Sequence, residues 1–295
     1  MKPIEIRELT KSFKLKGKPV TALDGISFEV ATGGSVGFIG QNGAGKSTTI
    51  KLLFGAMRPN SGVALLMGRQ SSDPQSRKGV GYVPENPYLY ELLTPREIIS
   101  SGLRLHGVRG NENARRTERW LNKLEITYAA DKRIRNLSKG MTQRTALAHA
   151  FAIEPDLLIL DEPMSGLDPV GRRQVADLMQ EYRQSGRTLF FSSHILHDVE
   201  RLADRFVMIH KGQIRAQQSI SDMLASQGDM IVRYYGLQAV EGFERDAGHV
   251  WRGRCQRGEI EKVLNAITLA SGTLLDVHPQ NSLEALFDSI AGFNG

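Results

Sequence analysis

Apolar and polar positions alternate twice near the start of the chain, at Ile4-Glu5-Ile6-Arg7 and at Ile26-Ser27-Phe28-Glu29-Val30. A period of two predicts half-buried strands, and Lys16-Gly17-Lys18-Pro19 between them predicts a turn. Ser35-Val36-Gly37-Phe38-Ile39 is apolar almost throughout, as a strand covered on both faces is, and Thr49-Ile50-Lys51-Leu52-Leu53 reads as the first turns of a helix. Arg58-Pro59-Asn60-Ser61-Gly62 ends that helix, and strands are expected over residues 63–67 and 79–83, the second broken by Pro84-Glu85-Asn86-Pro87. From Thr94 to about Ala152 the pattern changes to helices with charged faces, such as residues 113–124. Strand character returns at 157–160, 188–192 and 205–209. These elements predict an α/β core, its apolar strands in a parallel sheet, interrupted by a mostly helical insert.

Beyond about Lys211 the pattern changes again. A strand is expected at 213–216, a short helix at 219–225 with Ser219 as its cap, and strands at 230–235 and 250–254. A helix over 259–270, a strand over 273–277 and a closing helix over 282–290 complete a small α+β appendage of roughly 80 residues. No repeat or low-complexity stretch interrupts this order.

At 295 residues the chain can bury a full core in one large domain or two. No stretch approaches the ~20 apolar residues that span a bilayer, so a membrane role is expected to come through a partner. The N-terminal residues Met1 to Ile6 hold no apolar run of the kind a secretory signal needs. The lone Cys255 excludes a disulfide within the chain, which suits a reducing compartment. A net charge of +6, spread along the sequence, is weak support for a nucleic-acid partner, and none is expected. Trp251 beside Arg252, Arg254 and Arg257 fits either a stacking and phosphate-contact patch or an edge strand with a solvated face.

The candidate chemistry begins where the first buried strand meets the first helix, at Gly40-Gln41-Asn42-Gly43-Ala44-Gly45-Lys46-Ser47-Thr48. Strand, glycine-rich loop and helix in that order are the context in which G-x-x-x-x-G-K-[ST] binds phosphate. The backbone N–H groups from Gly40 through Asn42, Gly43, Ala44 and Gly45 to Thr48 can curl round an anion, with the positive end of the helix behind them. Lys46 can reach the β- and γ-phosphates of ATP, and the Ser47 hydroxyl can sit on Mg²⁺. Asp161 stands at the carboxyl end of the apolar run 157–160, where a carboxylate can hold Mg²⁺ beside Ser47. Glu162 follows, placed to take a proton from a water attacking the γ-phosphate. Phe13 can stack on an adenine or simply pack, and the residues alone leave both open. Ser138-Lys139-Gly140-Met141 precedes a helix expected over 142–151, so Ser138 and nearby amides can face an anion. His194, in Ser192-Ser193-His194, fits either a structural histidine at a strand end or a site residue.

Phe13, the phosphate loop, Pro84-Glu85, Leu137 to Met141, Leu157 to Glu162, Ser165-Gly166-Leu167-Asp168 and His194 follow one another in an order that resembles the ATP-binding cassette (ABC) ATPases. The resemblance covers residues 1 to about 215. Pro84-Glu85-Asn86, Ser138 to Met141 and the closing Asn281 to Phe287 look like the ABC-2 export branch. It implies an ABC cassette of the P-loop NTPase class: a RecA-like core with an antiparallel β subdomain and a helical subdomain (about 86–153) within 1–215, then an accessory domain over 216–295. It also implies an ATPase using ATP and Mg²⁺, peripheral on the cytoplasmic face of the inner membrane and docked on a membrane permease through the helical subdomain. The region around Tyr88-Leu89-Tyr90-Glu91-Leu92-Leu93 is the expected docking surface.

In that family two cassettes close head to tail on two ATP molecules. A homodimer is therefore implied, in which Ser138 and Gly140 touch the γ-phosphate held by Lys46 and Ser47 of the partner. Ser165 to Asp168 would line the seam, and His194 would hold the attacking water with Glu162. Two departures stand out. Glu85 replaces the family's usual glutamine as an ATP and Mg²⁺ contact, adding negative charge, and Lys139 and Met141 replace a glycine and a glutamine. A different class, a soluble ABC ATPase acting on ribosomes or DNA, usually carries two cassettes or a long coiled coil, and neither is present here. A regulatory binder without turnover is a third reading, against which the acidic pair Asp161-Glu162 counts.

Overall fold

A computed structural model describes residues 2–15, 17–225, 229–279 and 282–291. Lys16 of the first turn and Asn281 before the closing helix lie outside the described residues. The chain divides into two compact units, Met1–Gln217 and Gln218–Gly295.

The first unit opens with β1 (Ile4–Leu15), β2 (Lys18–Val30), β3 (Ser35–Ile39) and α1 (Lys46–Leu53), followed by β4 (Ser61–Leu66), β5 (Arg69–Gln70) and β6 (Val80–Val83). The insert supplies α2 (Pro95–Leu105), α3 (Gly110–Lys123) and α4 (Lys139–Ala152). Then come β7 (Leu157–Leu160), α5 (Pro169–Gln184), β8 (Thr188–Ser193), α6 (Leu196–Leu202), β9 (Arg205–His210) and β10 (Gln213–Ser219). Two sheets result, one in the order β2-β1-β4-β5 and one in the order β10-β9-β3-β8-β7-β6. In the second, β9, β3, β8, β7 and β6 run parallel. This is the α/β cassette expected, with an antiparallel sheet laid on a parallel one. The β1–β2 hairpin extends well beyond its alternating segments, because ladder pairing carries both strands through polar residues such as Lys11 and Ser12, with register shifts on the way.

Every residue of β3, β7 and β8 is buried. On one face Phe28 of β2 meets Phe38 of β3 and Phe190 of β8 at ring separations of 5.4 and 5.9 Å, joining the two sheets in one apolar cluster. The carboxyl ends of β3, β6, β7 and β8 thus deliver the 40–48 loop, Glu85, Asp161–Glu162 and His194 to one edge, where open α/β sheets bind ligands.

Local chemistry fixes the insert. Thr94 begins α2 with a reciprocal cap: its Oγ1 accepts from Glu97 N–H, and its own N–H donates to the Glu97 carboxylate, with Pro95 in the first turn. Asn113 of α3 donates to Ser100 O and Val108 O, tying α2 to α3, while Trp120 stacks on Phe151 of α4 at 5.2 Å. Helix α4 starts at Lys139, three residues earlier than expected, because Ser138 Oγ accepts from Met141 N–H and caps it there. Tyr88, Tyr90 and Leu92 are 98%, 78% and 65% exposed, whereas Leu89 and Leu93 are half-buried. Among the described residues no helix is long and apolar enough to cross a membrane.

The second unit holds α7 (Ile220–Ala225), β11 (Met230–Tyr235), β12 (Phe243–Ala247), β13 (Val250–Cys255), α8 (Ile260–Leu269), β14 (Thr273–Pro279) and α9 (Leu283–Ala291). Its antiparallel sheet runs β12-β13-β11-β14, and Val232, Tyr234, Cys255 and Ile267 form its core. Strand β12, Phe243-Glu244-Arg245-Asp246-Ala247, was not expected from the sequence. It is a charged edge strand, held by its ladder to β13 and by Phe243, whose ring meets Tyr234 edge-on at 5.1 Å. The two readings of Trp251 are now separated. Its ring stacks parallel to Tyr234 and its Nε1 donates to Gly236 O, with the Arg245 guanidinium 5.9 Å from the ring. Alternation along β13 turns Arg252 and Arg254 to the other face, so Trp251 and these arginines make no common patch.

His149 of α4 packs on Gly102 of α2 so closely that a β-carbon there would lie 2.1 Å from Nε2. Burial holds its imidazole below the ordinary 6.5, and His106 adds to the effect. As pH falls through about 6.5 the unfolded chain takes up a proton that the folded chain refuses, so this histidine costs stability on acidification. His149→Gln is expected to lose less melting temperature than the wild type between about pH 7 and about pH 5. Parallel thermal unfolding of the two proteins checks this.

Candidate functional site

The site starts from an uncapped helix. Gly45 precedes α1 at φ +119°, a backbone that glycine adopts readily, and a β-carbon there would come within 2.7 Å of Leu23. No side chain caps α1, and its first turn holds no acidic residue. Its positive end is therefore open to an anion. In front of it lies a cleft of about 340 Å³ lined by Gln41 to Gly43, Gly45 to Thr48, Ala22, Glu85 and Glu162. Gly40 and Ala44 stand behind this wall: Gly40 gives its carbonyl oxygen to Lys46 and Ala44 packs into the core.

Lys46 is 6% exposed and Glu162 is 8% exposed. Lys46 Nζ donates to Gly40 O at 2.5 Å and lies 3.2 Å from Glu162 Oε1. The other oxygen of the same carboxylate, Oε2, is 2.8 Å from His194 Nδ1. Lysine, glutamate and histidine form one continuous chain across the carboxyl ends of β3, β7 and β8. Between the outer two strands, Ser192 of β8 donates to Asp161 Oδ1 at 2.6 Å and accepts from Glu162 N–H at 2.9 Å. Ser192 escapes notice in the sequence, where its one signal is a hydroxyl residue closing an apolar strand. Behind Glu162, a cavity of about 20 Å³, room for one water, is bounded by Pro163, Ser193, His194 and Asp198. Burial pushes the Asp198 carboxyl up. Burial, with the Asp161 charge adding to it, pushes the Tyr82 hydroxyl up to about 12.

Not every candidate converges on the cleft. Phe13 sits on β1, partly exposed, with Lys11 Nζ 5.4 Å from its ring, and it does not line the cleft. Ser138 and Gly140 begin α4 and do not line it either. Asp161, Ser47 and Glu85 offer oxygen donors only, and no group of three His, Cys, Asp or Glu side chains that could hold a metal is found among the described residues. That donor set fits a small hard cation such as Mg²⁺, which takes one or two carboxylates and completes its shell with water and phosphate oxygens. The arrangement can bind a polyphosphate at the α1 terminus and accept a proton beside its last phosphorus.

Residues 23–165 match the family model for ABC transporters. The chain is 33% identical to an uncharacterized ABC transporter ATP-binding protein of Nostoc sp., over 96% of this chain and 87% of that one. It is 34% identical to the ABC-type transporter ATP-binding protein EcsA of Bacillus subtilis, over 84% of this chain and all of that one (100%). A solved structure of the ATP-binding subunit of an ABC transporter superposes with a TM-score of 0.68 at 34% identity, covering 75% of this chain and 91% of that one.

The buried Lys46–Glu162 pair predicts a non-additive result. Lys46→Met strands a buried carboxylate and is expected to lower stability by up to about 3 kcal/mol. Lys46→Met/Glu162→Gln is expected to recover much of that loss. Nucleotide-free chemical denaturation of the three proteins measures the difference.

Proposed function

The chain belongs to the family of ABC transporter ATP-binding proteins, and from that premise we propose that it is the ATPase subunit of an ABC-2 type exporter, driving a separately encoded membrane permease. The observation that carries the reading is the Lys46–Glu162–His194 chain, a phosphate-binding ammonium paired in the cleft wall with a carboxylate whose other oxygen meets an imidazole. Lys46 and the N–H groups at the start of α1 receive the β- and γ-phosphates of ATP. Glu162 then exchanges its contact with Lys46 for a water and takes that water's proton as the oxygen attacks the γ-phosphorus, the bond to the β–γ bridging oxygen breaks and ADP leaves, while His194 holds carboxylate and water in line. Ser47, Asp161 and Glu85 are the residues that would hold Mg²⁺. That ion, when bound, withdraws charge from the β- and γ-phosphate oxygens. Ser192 keeps Asp161 and Glu162 in register for both tasks.

Ser138 and Gly140, away from this cleft, are assigned to the ATP of a second copy, so that two cassettes close head to tail on two nucleotides. Phe13 is assigned to the adenine. The helical subdomain, with Tyr88, Tyr90 and Leu92 exposed, meets the permease on the cytoplasmic face of the inner membrane. ATP can move that permease only as far as ATP prefers the closed pair over the open one. The export branch rests on the likeness of Pro84-Glu85-Asn86 and Ser138 to Met141 to that branch.

Phosphate release with Mg²⁺ and ATP tests the assignment. Glu162→Gln is expected to fall at least about 100-fold in rate while still binding ATP. Release equal to the wild type would remove Glu162 as the base. The trapped variant, used as bait in detergent-solubilised membranes of the native host, should recover a multi-span membrane protein in stoichiometric amount. Recovery of ribosomal or DNA-associated proteins alone would favour the soluble class instead.

A further inference from the structure

Glu162 has φ +49°, a left-handed backbone that a glutamate keeps only where its surroundings hold it. Two side chains do so from opposite sides. Upstream, Ser192 Oγ accepts from Glu162 N–H at 2.9 Å. Downstream, Gln143 Nε2 donates to the carbonyl oxygen of Pro163, the next residue, at 3.1 Å.

Gln143 is an unusual choice for this place. It lies in α4, about one turn beyond Ser138 and Gly140, and is 1% exposed. Its Oε1 has no hydrogen-bond partner among the described residues. A buried amide with one end unpaired costs stability that an apolar side chain of the same size would not. What Nε2 does accounts for its presence. The neighbouring Arg144 makes a parallel link: its guanidinium lies 3.6 Å from Oδ1 of Asp168, the cap of α5 at the far end of the 163–168 turn. The same guanidinium donates to Leu124 O and to Gln174 Oε1. The turn after Glu162 is therefore fastened to α4 at both ends.

We propose that Gln143 is a positioning residue for Glu162: by holding the Pro163 carbonyl it fixes the pose of that carboxylate and ties it to the helix that presents Ser138 and Gly140. The inference rests on the reading of Glu162 as the base. It means that the base is aligned only when α4 is seated, so a phosphate engaged by Ser138 and Gly140 bears on the chemistry of this cassette's own cleft as well as its partner's.

Two variants remove the contact by different routes. Gln143→Met keeps the size and loses the donor, and Gln143→Asn keeps an amide that is one methylene too short. Each is expected to lower kcat about tenfold or more, since small misplacements of a reacting group are costly, and to leave KM for ATP unchanged. Melting temperature should not fall in Gln143→Met, which removes the unpaired amide oxygen, and ATP-driven dimerisation measured in the Glu162→Gln background should match that of the parent protein. If one variant fails to fold, the other reads the same contact. Unchanged kcat in a folded variant, with Glu162→Gln inactive, would overturn the inference alone. A fall in kcat matched by a fall in melting temperature or dimerisation would also overturn it, showing a structural role. Full activity of Glu162→Gln would instead overturn the base assignment beneath it.

Discussion

A buried ammonium needs a counter-charge, and in this fold Lys46 finds it in Glu162. Removing two charges from water costs several kcal/mol per ion, and a single contact at 3.2 Å does not offset this unless other hydrogen bonds complete the shell. The surrounding strands supply several, although Glu162 Oε1, the oxygen facing Lys46, has no hydrogen-bond partner among the described residues. Gly40 and Gln41 give carbonyl oxygens to the lysine, and Ser192 and His194 hold the glutamate, one through its backbone and one through its side chain. Lys46 and Glu162 thereby neutralise one another in the wall of an open cleft. An incoming phosphate competes with Glu162 for the same ammonium. In the mechanism proposed above, the group it displaces is the one that takes the proton of the attacking water.

The parts of this site that were legible in the sequence are those encoded by contiguous residues. Gly40 to Thr48 carries its own strand, loop and helix signals, and Leu157 to Glu162 carries its own apolar run and acidic end. What stayed hidden depends on residues far apart in the chain. Ser192 and Gln143 read as an ordinary strand end and an ordinary helix residue, and only the order of the sheet and the seating of α4 bring them against Glu162. Phe13, on β1, is not among the residues that line the phosphate cleft. Helix α4 began early for a local reason, the Ser138 cap, which outweighs the poor helix propensity of Gly140.

In the second unit the apolar strands were legible and the charged one was not. Strand β12 has a single large apolar residue, Phe243, whose ring lies over Gly253 of β13. Pairing gives it a place in the sheet that its composition does not announce. Trp251 and its arginine neighbours teach the complementary lesson. Adjacent residues on a strand point to opposite faces, so closeness in sequence argues against a shared surface.

The strand order carries a consequence for how the chain is made. β3, which anchors the phosphate loop, pairs on both sides with strands from the far end of the first unit, β8 and β9. The N–H of Ser35 at its start is bonded by Asp204, 169 residues later. At ordinary translation speeds roughly 10–30 s separate the synthesis of these partners. The antiparallel sheet of β1, β2 and β4 can assemble from local contacts in that interval, but its Phe28 face has no parallel sheet to cover it. The nascent chain therefore passes through a stage in which the hairpin can form while its aromatic face is exposed and its phosphate loop unanchored, and apolar surface left open in this way is prone to aggregation.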